Sequence, residues 1–159
     1  MKSGAVFYLS ALALLIVATF ALATATTVIH EGGHYVTGRL LGCSNVEIVL
    51  LDEKFETYTK MNCDPAIPDY EMNMLMLSGL LFIIPAAALL YIVRRDFFLS
   101  ALLFGFNLVI SFSDFASFGT AQYTLFFAGA AFVIYGETIL ADRYVKNAET
   151  VITSYSQSR

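Results

Sequence analysis

Four long apolar segments, separated by short polar stretches, are the feature of this sequence that most constrains its fold. They cover about residues 5–41, 73–93, 97–118 and 121–141. A helix needs about 20 apolar residues to cross the roughly 30 Å hydrocarbon core of a bilayer, and each segment is that long. The sequence therefore predicts an all-α membrane protein, a four-span transmembrane helix bundle that forms a single domain over residues 1–159.

The composition agrees with a chain that lies in a lipid bilayer. Of the 159 residues, 58% are hydrophobic and 14% are charged, whereas soluble domains are about half apolar and about a quarter charged. The net charge of −4 provides no basic surface that would neutralise phosphates, so a nucleic-acid partner is excluded on electrostatic grounds.

The acidic loop 42–72 is the only sizeable segment predicted to lie outside the membrane. Within it, the apolar run 46–51 is followed by a polar turn at 52–54 and by a second run at 55–60. Two short runs separated by a polar turn are typical of a β-hairpin. We therefore expect a small extramembrane hairpin between the first and second spans.

Basic residues in short loops predict the orientation in the membrane, because they concentrate on the cytoplasmic side. If the N- and C-termini are cytoplasmic and loop 42–72 lies outside the cytoplasm, most of the basic residues lie on the cytoplasmic side. The cytoplasmic residues are then Lys2, Arg94, Arg95, Arg143 and Lys146. Cys43 and Cys63, the only two cysteines, would then lie outside, where either a disulfide or two free thiols are compatible with the sequence.

The sequence His30-Glu31-Gly32-Gly33-His34 interrupts the first apolar segment with ionisable groups. Histidines four apart lie on one face of a helix, at a separation that suits one metal ion, and the adjacent glutamate can serve as a general base. The alternative is a polar packing cluster. Because ionisable groups are costly within a membrane span and are usually functional there, the metal site is favoured.

The position of this motif in the first segment predicts a shallow site. About 20 helical residues from Ala5 reach about residue 25, so His30 lies near the outer boundary of the hydrocarbon. Gly32 and Gly33 each cost about 1 kcal/mol relative to alanine within a helix. Either a substrate strand or a tightly packed helix must approach this backbone, and packing is the simpler explanation.

Asp114 is the best candidate for a third metal ligand. It lies near the end of the third predicted span, which runs in the same direction as the first and so reaches the same leaflet. Asn107, two helical turns earlier, shares its face and could orient a substrate carbonyl or the ligand shell. The alternative for both residues is hydrogen bonding between helices. Rival ligands in the loop are Asp64, Asp69 and Glu71.

Three stretches resemble the site-2 protease family of intramembrane zinc proteases. Residues 28–43, VIHEGGHYVTGRLLGC, resemble the first motif of that family, and residues 77–80, LSGL, are similar to its middle core helix. Asn107 and Asp114 look like its third-helix motif, although the proline and glycine usual in that motif are absent. The resemblance implies a three-helix core over about residues 20–118, with Asp114 completing the zinc site. It also implies that the hairpin at 46–60 pairs with an extended substrate.

We therefore expect a zinc metalloendopeptidase that cleaves a membrane protein or peptide substrate in or near a transmembrane segment. One Zn²⁺ per chain is held by His30, His34 and Asp114, and Glu31 and Asn107 are the catalytic residues. An alternative is a non-proteolytic metal-binding accessory subunit of a membrane complex, and another is a metal-binding transporter or chaperone component. The sequence leaves open whether the chain forms an oligomer or joins a larger membrane complex.

Overall fold

The residues that the structure describes form four helices and one two-stranded antiparallel sheet, which follows the first helix in the chain. The computed structural model describes residues 2–54, 56–65, 67–115 and 119–157. In chain order the elements are α1 (Lys2–Leu40), β1 (Ser44–Val49), β2 (Tyr58–Asn62), α2 (Asp69–Arg94), α3 (Phe97–Ile110) and α4 (Ala121–Gln157). The predictions of a mostly helical chain and of a small hairpin after the first helix are confirmed.

Three of the helices are long and apolar enough to cross a membrane. The qualifying segments are Leu12–Leu40 in α1, Asp69–Arg94, and Ala121–Asn147 in α4. The helix α3 has 14 residues and is therefore about 21 Å long, shorter than the roughly 30 Å hydrocarbon core. The prediction of four spans is thus not confirmed, because the helix within the predicted span 97–118 ends at Ile110.

The chain leaves the helical pattern directly after α3. The carbonyl of Asn107 accepts hydrogen bonds from both the backbone N–H of Ser111, at 2.9 Å, and its hydroxyl, at 2.8 Å. The carbonyl of Ser111 then accepts from the N–H groups of Asp114 and Phe115. Residues 111–115 form tight turns instead of further helix. These turns bring Asp114 towards α1.

The short helix α3 lies at the centre of the bundle. It contacts α1, α2 and α4, whereas α2 and α4 do not contact each other within the described residues. Buried apolar side chains on α2 and α3 form the core around it, among them Ile83, Leu102, Leu103 and Leu108. Because both α1 and α2 pack against α3, side chains from three helices can meet in one site.

The hairpin connection is longer than predicted. β1 and β2 pair from Ser44 opposite Asn62 to Val49 opposite Tyr58, so the connection spans residues 50–57 rather than 52–54. Asp52 explains the difference, because its carboxylate accepts hydrogen bonds from the N–H groups of Lys54, at 2.8 Å, and Glu56, at 2.9 Å. These bonds stabilise a wide turn in place of continued strand pairing.

A disulfide joins the two strands at the other end of the hairpin. Cys43 and Cys63 are bonded, with their Cα atoms 4.3 Å apart, which resolves the alternative that the sequence left open. The hairpin lies along the last turns of α1, where Met61 packs close to Gly38. Nearer the connection, Thr59 hydrogen-bonds to Glu31, so the sheet reaches back to the histidine motif.

Candidate metal centre

Three potential metal-ligating atoms converge where α1 meets the turns after α3. The Nε2 atoms of His30 and His34 lie 3.1 Å apart. Oδ2 of Asp114 is 2.9 Å from Nε2 of His30 and 3.2 Å from Nε2 of His34. The His30 side chain is 2% exposed and that of Asp114 is 20% exposed, so the cluster is buried on one side and accessible on the other.

The hydrogen bonds behind the two rings determine which nitrogen carries the proton. Nδ1 of His30 is 2.9 Å from Oδ1 of Asn107, and Nδ1 of His34 is 2.9 Å from the carbonyl oxygen of Leu75. The Asn107 amide is itself oriented, because its Nδ2 donates to the carbonyl of Leu80 at 3.3 Å. Both partners are acceptors, so Nδ1 is the donor in each ring. A neutral imidazole has one N–H, so both Nε2 atoms present lone pairs.

Two serine hydroxyls next to the rings are compatible with this assignment. Ser78 Oγ donates to the carbonyl of Leu75 at 2.6 Å and lies 3.2 Å from Nδ1 of His34. Ser111 Oγ likewise donates to the carbonyl of Asn107. Neither hydroxyl therefore needs to donate its proton to a ring. In both imidazoles the proton therefore lies on Nδ1, where a hydrogen-bond acceptor holds the ring in place. This is usual for metal-ligating histidines.

The resulting cluster has the properties of a cation site. Two imidazole lone pairs and one carboxylate oxygen face each other at 2.9–3.2 Å, which is unfavourable without positive charge between them. Tetrahedral ligands about 2.0–2.2 Å from a zinc ion lie about 3.3–3.6 Å apart, so this cluster needs only a small expansion. Two histidines and one carboxylate are a ligand set that can hold a divalent transition-metal ion.

The backbone of α2 packs directly on the histidine motif. A Cβ atom on Gly33 would lie 2.5 Å from the carbonyl oxygen of Ser78, and one on Gly79 would overlap the ring of His30. Gly33 and Gly79 thus allow α2 to bring Leu75 and Ser78 against His34. Gly32 is different, because a Cβ there would meet nothing within 4 Å. Helix packing therefore explains the glycine at position 33, whereas Gly32 faces open space.

Glu31 lies next to this cluster and is held by the hairpin. Its side chain is not part of the ligand cluster, which within the described residues consists of His30, His34 and Asp114. The Thr59 hydroxyl on β2 is 2.8 Å from Oε2 of Glu31 and 2.9 Å from the Glu31 carbonyl oxygen. Glu31 is 7% exposed. The hairpin therefore positions this carboxylate through a single side chain.

All five residues predicted for the site lie close together in the structure, but they make different contacts. His30, His34 and Asp114 share the cluster, and Asn107, which is fully buried, contacts the rear of His30. Asn107 thus orients the His30 ring and does not line open space. The rival ligands do not join the cluster within the described part of the chain; they are Asp64, Asp69 and Glu71.

Sequence analysis did not single out Thr59 or Leu75. Thr59 reaches Glu31 only through the packing of the hairpin on α1, and Leu75 contributes a backbone carbonyl, for which no side-chain pattern exists. Ser78 lies within residues 77–80, which carried part of the family resemblance. That resemblance was the one available signal for α2.

Comparisons of this chain with protein-family models, with curated proteins and with solved structures find no match.

Proposed function

We propose that this chain is an intramembrane metalloprotease of the site-2 protease type, with Zn²⁺ held by His30, His34 and Asp114. The observation that carries the proposal is the convergence of Nε2, Nε2 and Oδ2, with both Nδ1 atoms bonded to acceptors elsewhere. Three donors and one free position are the ligand arrangement of catalytic zinc sites. When bound, zinc supplies Lewis acidity, which polarises a carbonyl and eases the ionisation of water.

Glu31 is the proposed general base and general acid. It follows the ligand His30 directly in the helix and does not belong to the ligand cluster, so its carboxylate is free to exchange a proton. Glu31 takes a proton from the attacking water and returns it to the nitrogen of the leaving amine, so that the peptide C–N bond breaks and no other reactant is consumed. Thr59 holds the carboxylate in place during both transfers.

The proposed substrate is an unwound segment in or near a transmembrane helix of another protein. A peptide bond within a helix is shielded because its N–H and C=O groups are paired along the segment. Gly32 faces open space on the turn that carries Glu31, which leaves room for an extended backbone. Asp114 is partly exposed, so the free coordination position is reachable from the same region.

We also propose that both termini are cytoplasmic and that loop 42–72 is extracytoplasmic, an orientation in which the segment between α2 and α4 crosses the bilayer as a fourth span. The basic residues at the end of α2 and in the second half of α4 support this orientation, and the bond between Cys43 and Cys63 suits an oxidising compartment. Alkylation of intact cells with membrane-impermeant thiol reagents, with and without reductant, tests it. Labelling of these cysteines only after reduction is expected, and labelling that requires permeabilised cells would reverse the orientation.

The decisive experiment pairs metal analysis with cleavage of a model transmembrane substrate by purified protein. Wild type is expected to carry one zinc per chain and to cleave. Glu31→Gln is expected to retain zinc and to lose most of the activity, because general acid–base catalysis contributes about 10²–10⁴-fold. Asp142→Asn, in an exposed ion pair with Lys146 on α4, is the matched control and is expected to behave as wild type.

Two results would contradict the protease proposal. Full cleavage by Glu31→Gln would remove the general base from the mechanism. A zinc-loaded wild type that cleaves no substrate, together with spectroscopy that shows four protein ligands, would instead favour a non-proteolytic accessory subunit, because structural zinc sites have no open position.

A further inference from the structure

An open apolar groove runs along the side of the helical bundle, away from the candidate metal centre. α2 and α4 form its walls and α3 forms its floor, and its volume is about 560 Å³. Its lining includes the small side chains of Ala88 on α2 and Ala101 on α3 and the rings of Phe97 and Phe132. Ala88 is ten residues from Ser78 along α2, or about 15 Å, so the groove is separate from the metal centre.

One end of the groove carries uncompensated positive charge. Tyr91 and Phe97 line that end. Between them in sequence lie Arg94, the last residue of α2, and Arg95, which follows it. Both arginines are exposed, and within the described part of the chain neither forms an ion pair with a carboxylate.

The nearest carboxylate in sequence, that of Asp96, is already engaged. Its Oδ1 accepts hydrogen bonds from the N–H groups of Phe98 and Leu99 at the start of α3. Its Oδ2 lies 3.1 Å from Nη1 of Arg143, which reaches across from α4. Asp96 therefore caps α3 and pairs with another arginine, and Arg94 and Arg95 remain available to an external anion.

We propose that this groove binds an anionic phospholipid, with an acyl chain between α2 and α4 and the phosphate group on Arg94 and Arg95. At membrane depth the occupant must be an apolar chain or a helix with its own hydrogen bonds satisfied. Arg94 and Arg95 at the groove end favour a lipid acyl chain over a helix, because a basic site between helices at the membrane surface selects an anionic headgroup. Tyr91 lies where its ring reaches the interface.

Native mass spectrometry of the full-length protein in detergent tests this site. The probes are 1-palmitoyl-2-oleoyl phosphatidylglycerol and the phosphatidylcholine with identical acyl chains. Phosphatidylglycerol is expected to bind at least about tenfold more tightly, because each arginine near the surface strengthens the attraction to anionic lipid. The Arg94→Gln/Arg95→Gln variant is expected to lose that preference, a fall of roughly 10–30-fold. Lys54→Gln/Lys60→Gln changes the net charge equally and is expected to keep it.

A second pair of variants tests the groove itself. Ala88→Phe fills the groove from an exposed position and is expected to weaken binding of both lipids. Ala21→Phe, on the exposed surface of α1, is expected to leave both unchanged. Equal affinity for the two lipids would overturn the proposal, as would unaltered lipid binding by Ala88→Phe. Dimer peaks that disappear in Ala88→Phe would overturn it in favour of a second copy of the chain.

Discussion

The Nε2 atoms of His30 and His34 lie 3.1 Å apart, although the Nδ1 atom of each ring faces an oxygen acceptor. Two neutral rings cannot share a hydrogen bond in this arrangement, because each has one proton and both protons are on the far side. Either a metal ion lies between the ligands or a ring takes up a second proton. A metal site and a polar packing cluster therefore differ in their measured affinity for a metal ion.

Removal of a ligand is the first test of that difference. His34→Ala and Asp114→Asn are each expected to lower zinc affinity by more than about 100-fold, because loss of a group behind the ligands alone costs about 10–100-fold. Isothermal titration of the metal-stripped protein measures this. Asp142→Asn, which breaks an exposed ion pair with Lys146, is the control. Asp114→Asn with undiminished affinity would remove Asp114 from the ligand set.

Asn107 is expected to support metal binding without touching the metal. Asn107→Ala removes the acceptor for Nδ1 of His30 and is expected to lower zinc affinity by about 10–100-fold. Asn107→Asp keeps an acceptor oxygen and is expected to bind zinc more tightly than Asn107→Ala. Asn73→Ala, at an exposed position on α2, is the matched control. Equal affinities for wild type and Asn107→Ala would show that His30 needs no such support.

The two glycines of the motif are expected to respond differently to the same substitution. Gly33→Ala forces α2 away from α1 and is expected to destabilise the fold by about 1–3 kcal/mol. Gly32→Ala meets open space and is expected to raise helix stability by up to about 1 kcal/mol. Its activity should nevertheless fall, because the added methyl group narrows the approach of a substrate backbone. Thermal unfolding and cleavage rates, measured on both variants, separate these effects.

Thr59 is expected to act on catalysis through Glu31. Thr59→Val removes a hydrogen bond to the carboxylate, and because such bonds to charged groups contribute about 1.5–3 kcal/mol, kcat should fall about 10–100-fold. KM and zinc content are expected to stay unchanged, and Thr59→Ser should restore most of the rate. Thr138→Val, whose hydroxyl bonds only within α4, is the control. An unchanged kcat in Thr59→Val would show that the hairpin does not contribute to catalysis through Glu31.

The disulfide is expected to stabilise the hairpin more than the metal centre. Cys43→Ser/Cys63→Ser opens a link across 20 residues, and closure of such a loop is worth about 3 kcal/mol in the chain-entropy model. Hydrogen exchange of the amides in residues 44–62 should quicken, while zinc is retained because its ligands lie on α1 and after α3. Unchanged hydrogen exchange in residues 44–62 would show that packing on α1 stabilises the hairpin without the disulfide.

Sequence periodicity predicted the helices well and their ends less well. The apolar length of residues 97–118 suggested a span, but after Ile110 the chain enters tight turns, in which the N–H groups of Phe112 and Asp114 bond to carbonyls three residues back. The hairpin was predicted from two short runs separated by a polar turn, and its connection proved longer because of the Asp52 side chain. In the hairpin the difference arises from a single polar side chain that competes with the regular backbone pattern.

The sequence by itself determined the membrane-compatible helices and the His30–His34 pair, because hydrophobic length and helical spacing are local properties of the chain. Tertiary structure decided which of the candidate carboxylates reaches these histidines, namely Asp114, 80 residues after His34, and which face of the rings Asn107 and Leu75 contact. It also decided that Gly33 is packed while Gly32 is open. Such contacts depend on how helices pack against one another, which no local pattern in the sequence encodes.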